Sequence, residues 1–395
     1  MPRHRKIGEV EMQAAAYLYS QKYPREEIKK ILHLSQSTVS RSIKHAEKEG
    51  WLEVNIRFAK EKLSSERMEE IEAIASPQKH LKKQLDEFAT KYGGPAPNLR
   101  VFPSTNRDMT ATDQVAHLES FGQVVAGHIR DLLRPSKVCG VTWGYTLASV
   151  VRGLHRLGPP PLQKGNPTEF IPLCGESLDT AGMKLPVYSS SSIAAQFDEI
   201  INGGTKHSLS LAAVPALIPR DFTQNKVQAI RELIARVTAY SSIFSKGIEK
   251  EKAQHEPWID KLDTILTGIS PAEYPLGYWR DALVTTGRID RDQLSRFAVG
   301  DIGGILFARR DLSKSELVEL EKINERWTGI REHQMKRCAA EASQNRTSGV
   351  VVVAVGENKA ASICESIKRG LVNELVIDRD LAVALAQSMP VFLDT

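Results

Sequence analysis

Two short runs near the amino end set the first pattern. Ile28, Ile31 and Leu32 fall at helical spacing after Pro24, and Val39, Ile43 and Ala46 repeat it at spacings of four and three. Pro24 suits the first position of a helix, and Glu26 and Glu27 then sit at the positive end of its dipole. His33-Leu34 breaks the stripe, Ser35 or Ser37 can cap the second helix, and Gly50 closes it. Trp51 to Ile56 then alternates apolar and polar, as a short strand or wing does. Before the pair, Glu9 to Ser20 is helical, with Val10, Ala14, Tyr17 and Leu18 predicted to face it. The spacing of Leu81, Leu85, Phe88 and Tyr92 predicts one apolar stripe on a charged connector helix. That stripe fits a partner helix in a dimer, or packing on its own chain.

From Leu99 onward apolar runs alternate with amphipathic segments. Strands are predicted at 99–102, 137–141, 169–173, 208–214, 264–267, 349–355 and 374–377. Helices are predicted at 115–133, 147–157, 191–201, 226–236, 358–369 and 379–387. The run Gly349 to Val355 is apolar throughout, so both its faces should be buried. Such alternation means a doubly wound parallel α/β sheet, Rossmann-like in class. The predicted architecture is thus a winged helix-turn-helix domain over 1–57, a helical connector over 58–98 and an α/β domain over 99–395.

Charge sharpens the first of these. The first sixty residues hold twelve Lys/Arg against seven Asp/Glu, and the rest of the chain holds 41 of each. The whole basic excess therefore lies on the helix-turn-helix segment, as phosphate contact requires. On the second helix the polar face carries the predicted DNA contacts Gln36, Ser37, Thr38, Ser40, Arg41 and Lys44. The partner implied is double-stranded DNA read by paired headpieces. Elsewhere, 41% hydrophobic and 26% charged residues are ordinary globular usage, and no apolar run reaches the length of a membrane span. The basic start Met1 to Lys6 has no apolar stretch after it, so no signal peptide is expected. Cys139, Cys174, Cys338 and Cys364 lie far apart without metal-ligand spacing, which suits free thiols in a reducing cytoplasm. No cofactor and no metal are predicted.

In an open α/β sheet a ligand sits outside the carboxyl ends of the strands. Three corners qualify. Val141-Thr142-Trp143-Gly144-Tyr145-Thr146 joins a strand to a helix and offers backbone N–H groups, or is simply a turn. Gly300-Asp301-Ile302-Gly303-Gly304 sets a carboxylate among glycines, for sugar hydroxyls or for an Asx turn. Gly356-Glu357-Asn358-Lys359 puts a lysine at a helix start, where a bound anion would explain it and solvent would equally tolerate it. Neither a Walker loop nor a Gly-x-Gly-x-x-Gly run is present.

Leu34-Ser35-Gln36-Ser37-Thr38-Val39-Ser40-Arg41, Gly140 to Leu147, Val299 to Gly303, Gly356 to Ala360, Ile363, Arg369 to Asn373 and Ile377-Asp378, in this order, resemble the SorC family of bacterial sugar-binding transcriptional regulators. The resemblance covers nearly the whole chain. It implies a helix-turn-helix headpiece on a domain similar to sugar-phosphate isomerases and deaminases, used without catalysis. It also implies a sugar, polyol or sugar-phosphate effector and a homo-oligomer, a tetramer on operator DNA. By match of motif, Gly144, Tyr145, Thr146, Asp301 and Lys359 become effector contacts, with Trp143 and Gly356 beside them. The sequence departs from the family pattern at Val355, at the bulky Tyr145, in the long connector, and at 246–258, which looks inserted. The alternatives from other classes are an isomerase or deaminase on the same fold, and a nucleotide-binding module.

Overall fold

The computed structural model describes residues 8–21, 23–52, 77–103, 111–158, 167–176, 188–204, 209–244, 256–272 and 289–393. The chain forms two compact units, 1–68 and 69–395. Among the described residues no helix is long and apolar enough to cross a membrane, and all four cysteines are buried and unbridged.

The first unit is three helices, α1 (Glu9–Ser20), α2 (Arg25–Leu32) and α3 (Gln36–Lys48). Ala15, Ala16, Ile28, Val39, Ile43, Ala46 and Leu52 make its core. The sequence-based face of α1 is rotated: Val10 and Tyr17 are 77% and 65% exposed, while Ala15 and Ala16 are buried. Two alanines let the helix lie close on its neighbours, a signal that a search for large apolar residues passes over. Pro24 stands one place earlier than expected, at the N-cap with ψ of 146°. His33, not a glycine, takes the left-handed turn between α2 and α3 (φ 51°). Ser35 is the cap of α3, accepting the Thr38 N–H at 3.2 Å, and Gly50 follows its end with φ of 74°. The predicted wing falls mostly on 53–56, outside the described residues, and Trp51 and Leu52 are not in a strand.

The second unit begins with α4 (Pro77–Tyr92) and β1 (Asn98–Phe102), then α5 (Ala111–Leu133), β2 (Val138–Val141), α6 (Tyr145–Leu157), β3 (Glu169–Pro172) and α7 (Ser190–Asn202). Next come α8 (Gln224–Ala235), α9 (Thr238–Phe244), a 3-10 turn Trp258–Lys261, β4 (Thr264–Thr267) and β5 (Ile269–Pro271). The chain continues through α10 (Arg291–Phe297), β6 (Ala298–Ile302), β7 (Ile305–Ala308), α11 (Lys314–Arg326) and α12 (Glu332–Asn345). It ends with β8 (Gly349–Ala354), a 3-10 turn Glu357–Lys359, α13 (Ala360–Lys368), β9 (Glu374–Asp378) and α14 (Arg379–Leu393).

Six strands form a sheet in the order β1-β9-β8-β4-β2-β3, and every pairing is parallel. Helices cover both faces, as the unbroken valines of β8 require. Val351 and Val353 join a core with α5, α6 and α7, and Val350 and Val352 join a second core on the other face. That second core contains Leu81, Leu85 and Phe88 of α4, so the connector stripe packs on its own chain. The segment 246–258 lies largely outside the described residues.

Two features differ from expectation. Residues 209–214, predicted as a strand, form a turn in which the Val214 N–H donates to Leu211 O at 2.8 Å. The alternation there buries Leu211 and Val214 without a neighbouring strand to pair with. The chain also holds a small antiparallel sheet, β5-β6-β7, beside the parallel one. Its β6 and β7 are only five and four residues long, too short for a period to show.

Burial of α4 predicts that Leu85→Ala destabilises the second unit by about 2–5 kcal/mol, the usual cost of emptying a fully buried leucine site. Urea unfolding followed by tryptophan fluorescence, at several protein concentrations, checks it. The loss should not depend on concentration, as it would if the stripe belonged to a dimer seam.

Candidate nucleic-acid interface and effector site

In α3 the inner and outer faces separate cleanly. Val39, Ser42, Ile43 and Ala46 are buried, while Gln36, Ser37, Arg41 and Lys44 are exposed and Ser40 half-buried. Thr38 is half-buried, and its hydroxyl shares a 2.7 Å hydrogen bond with that of Ser35. It therefore completes the cap and holds the helix start. Arg41 Nε donates to Ser37 O at 3.4 Å, which leaves the two terminal nitrogens of its guanidinium on the outer face. This face offers donors and acceptors of the kinds that read base edges, with two cations for phosphates.

In the second unit the carboxyl ends of β3, β2, β4, β8 and β9 line one edge of the sheet. Parallel pairing forces this, since neighbouring strands must point the same way. At the centre, Thr142 and Thr267 join by a 3.0 Å hydroxyl contact, directly beyond the ends of β2 and β4. The β6–β7 hairpin closes over them. Gly303 and Gly304 make its two-residue turn with φ of 57° and 90°, a conformation that side chains resist. A Cβ on Gly303 would lie 3.2 Å from Thr142 Cγ2, and one on Gly304 would strike the Trp327 ring at 2.3 Å. Glycine is thus needed twice, for the turn and for the close approach.

Asp301 on this hairpin is buried, with Oδ2 accepting the Gly304 N–H at 3.0 Å. Burial pushes its carboxyl from the usual 3.8 to about 7, against the pull of that N–H and of the Lys359 ammonium. Lys359 ends the 3-10 turn after β8, and burial brings its ammonium from 10.5 down to about 8, against Asp378 and Asp301. Asp378, at the end of β9, accepts the Gly356 N–H at 3.1 Å and the Leu381 N–H at 3.3 Å. Its other oxygen lies 3.5 Å from Nε2 of the buried His117 on α5. So Asp301, Lys359 and Asp378, from three separate segments, are one electrostatic group, with Gly356 hydrogen-bonded into it.

The Gly144 corner stands beside it. Gly144 adopts φ of 122° and donates to Tyr188 O at 3.1 Å, and α6 starts there with no side-chain cap. Tyr145 is partly exposed, its ring 4.4 Å from that of Tyr188. Trp143 and Thr146 are buried instead. Trp143 packs edge-on against Trp327 at 5.3 Å, so its indole supports the hairpin.

Sequence reasoning missed Glu176, Tyr188, Ser189 and Ser191 here. Glu176 follows β3, and burial pushes its carboxyl up while the hydroxyls of Ser191 and Ser189 pull it down. Its position beyond a strand end was the signal available. Ser190 is buried and ties β2 to β3, donating to Val141 O at 2.6 Å and accepting the Leu173 N–H at 2.9 Å. For His117, within a long helix, no sequence signal existed. Among the described residues no cluster of His, Cys, Asp and Glu could hold a metal ion.

The fold is similar to that of the full-length sorbitol operon regulator SorC of Klebsiella pneumoniae: TM-score 0.53, 20% identity, 95% of this chain and 98% of that one covered. A domain of a possible sugar-binding transcriptional regulator from Arthrobacter aurescens matches at TM-score 0.51 and 17% identity, over 78% of this chain and 97% of its own. A probable sor operon regulator from Shigella flexneri matches at TM-score 0.50 and 20% identity, over 79% and 100%. The likeness is one of fold. The sequence matches no protein-family model and no curated protein.

The Asp301 environment predicts a pH dependence of stability. Between pH 4 and 7 the folded chain keeps a proton on Asp301 that the unfolded chain has released, so stability falls as pH rises through that window. Asp301→Asn should remove this fall, worth up to about 4 kcal/mol. Urea midpoints of both proteins at pH 4.5 and 7.5 measure it, and equal slopes would contradict the assignment.

Proposed function

We propose that this protein is a DNA-binding transcriptional regulator of a carbohydrate or polyol operon. Its DNA affinity is set by a sugar, polyol or sugar-phosphate effector held at the strand ends of the second unit. The observation that carries this reading is the division of α3 into a buried apolar face and an exposed face of Gln36, Ser37, Arg41 and Lys44. The full-length fold likeness to a sorbitol operon regulator supports it. Headpieces paired in a homo-oligomer, a tetramer on the proposed reading, engage two half-sites of double-stranded DNA in the cytoplasm. Gly144, Tyr145, Asp301, Gly356 and Lys359 contact the effector, and Trp143 and Thr146 brace that corner. The effector shifts the DNA-competent fraction only by its different affinity for the competing arrangements.

A second reading, a sugar-phosphate isomerase or deaminase, is favoured by one observation. Asp301 and Lys359 both titrate near neutrality, at about 7 and about 8, as an acid–base pair would. Turnover of sugar phosphates by the purified full chain decides between the two, and the regulator reading expects none.

Arg41→Ala should weaken specific binding to DNA upstream of the gene by ~1–3 kcal/mol, and Lys44→Ala should lower the salt slope by about one. Fluorescence anisotropy across a salt series reads both. In a thermal-shift panel of sugars, polyols and their phosphates, the true effector raises the melting temperature by mass action. That rise should disappear in Lys359→Ala while DNA binding without effector persists.

A further inference from the structure

A second concave site, sharing no lining residue with the strand-end group, lies between α8 and α11. It encloses about 450 Å3, within the range of small-molecule sites, ~300–1,000 Å3. Val227 and Ile323, both buried, form its floor, and the walls are charged. Arg220, Arg231, Lys322 and Arg326 face Glu319 and Glu325 across it, so cations outnumber carboxylates by two.

The distribution of partners matters more than the count. Glu319 is already committed to two cations, accepting Lys322 Nζ at 2.8 Å and Arg220 Nη2 at 3.0 Å. Arg326 is held by the carbonyls of Pro219 and Phe222, the latter at 3.0 Å. Arg231 donates to the carbonyl of Glu325. Those acceptors are neutral, and among the described residues neither Arg231 nor Arg326 makes an ion pair. They orient the guanidiniums without balancing their charge. Arg331 stands behind the same helix end, donating to Asn324 O at 2.7 Å. Burial first, and then the nearby Arg231, push its guanidinium down, against Tyr240 and Glu325. The first turn of α8 also opens here, with Gln224 on the wall and no side-chain cap on the helix.

Fixed guanidiniums, a free helix start and a floor too small for a protein segment suit a compact polyanion. We propose that the groove between α8 and α11 is a second ligand site, taking a small phosphate-bearing molecule. Guanidinium forks match phosphate oxygens in pairs, and an ammonium such as that of Lys322 adds a point charge. The site is separate from the proposed effector pocket and does not depend on it. A phosphate bound there would bridge α8 to α11 and relieve the repulsion between Arg231 and Arg331.

Isothermal titration of the full chain with pyrophosphate at low salt tests this. The expected result is saturable binding that weakens about tenfold or more in Arg231→Gln and again in Lys322→Gln. Both residues are exposed, so both variants should melt as the parent does, which the same samples verify. Lys359→Ala should leave this binding intact. No saturable binding by the parent protein, or binding that survives both groove variants, overturns the proposal. Binding that falls in Lys359→Ala while persisting in Arg231→Gln also overturns it and assigns the anion to the strand ends.

Discussion

The strand-end edge of the second unit is arranged around one half-buried ammonium. Lys359 emerges from the turn after β8, and its charge is opposed by Asp378 and Asp301. Even partial withdrawal from water disfavours such a charge unless opposite charge lies near it. The two carboxylates come from different layers. Asp378 follows directly from the ladder: Ala354 pairs with Ile377, so the next residue of β9 lies beside the turn that carries Lys359. Asp301 cannot come from the parallel sheet at all. It is delivered by β6, in the antiparallel sheet beside it. The small sheet thus adds a second carboxyl near Lys359, one that burial keeps largely protonated up to about pH 7.

That delivery depends on how the two cores are divided. Ile302, Ile305, Leu306 and Phe307 place the hairpin in the core on one face of the sheet. Leu147, Val150, Val151 and Leu154 anchor α6 in the core on the other face. The Gly144 corner and the Asp301 hairpin are thus held by opposite faces and meet at the strand ends. Thr142, Thr267 and the Gly303 turn are the junction, with Trp143 packed edge-on against Trp327 behind it.

How much of this was legible in the sequence depends on the kind of signal. The valines of β8, the Leu81-Leu85-Phe88 stripe and the α3 pattern are periodic over enough residues to fix element and face. The α1 face was misread because Ala15 and Ala16 are small, and packing there rewards closeness instead of apolar bulk. The strand predicted at 208–214 failed because alternation states only that Leu211 and Val214 are buried. It does not say whether a neighbour exists to take the hydrogen bonds. Asp301 and Lys359 were singled out from glycine-rich corners and from resemblance, but their mutual influence was invisible. So was the role of His117, which rests on a contact across the fold to Asp378. Glu176 was within reach, because it satisfies the same strand-end rule that selected the other corners.

A carboxyl poised near pH 7 has a consequence for recognition. Ionised Asp301 only accepts hydrogen bonds, whereas neutral Asp301 also donates one. A polyol hydroxyl can do either, so on the proposed reading the same pocket accommodates it in both protonation states. What the pocket cannot accommodate cheaply is a change in net charge that Lys359 does not offset, since the edge is already desolvated. Ligand binding and the protonation of Asp301 are then linked, and whichever state of the protein holds the ligand also fixes the proton. On the proposed reading, an effector shifts the balance between arrangements only through its different affinity for them, and charge balance at the strand ends is one source of that difference.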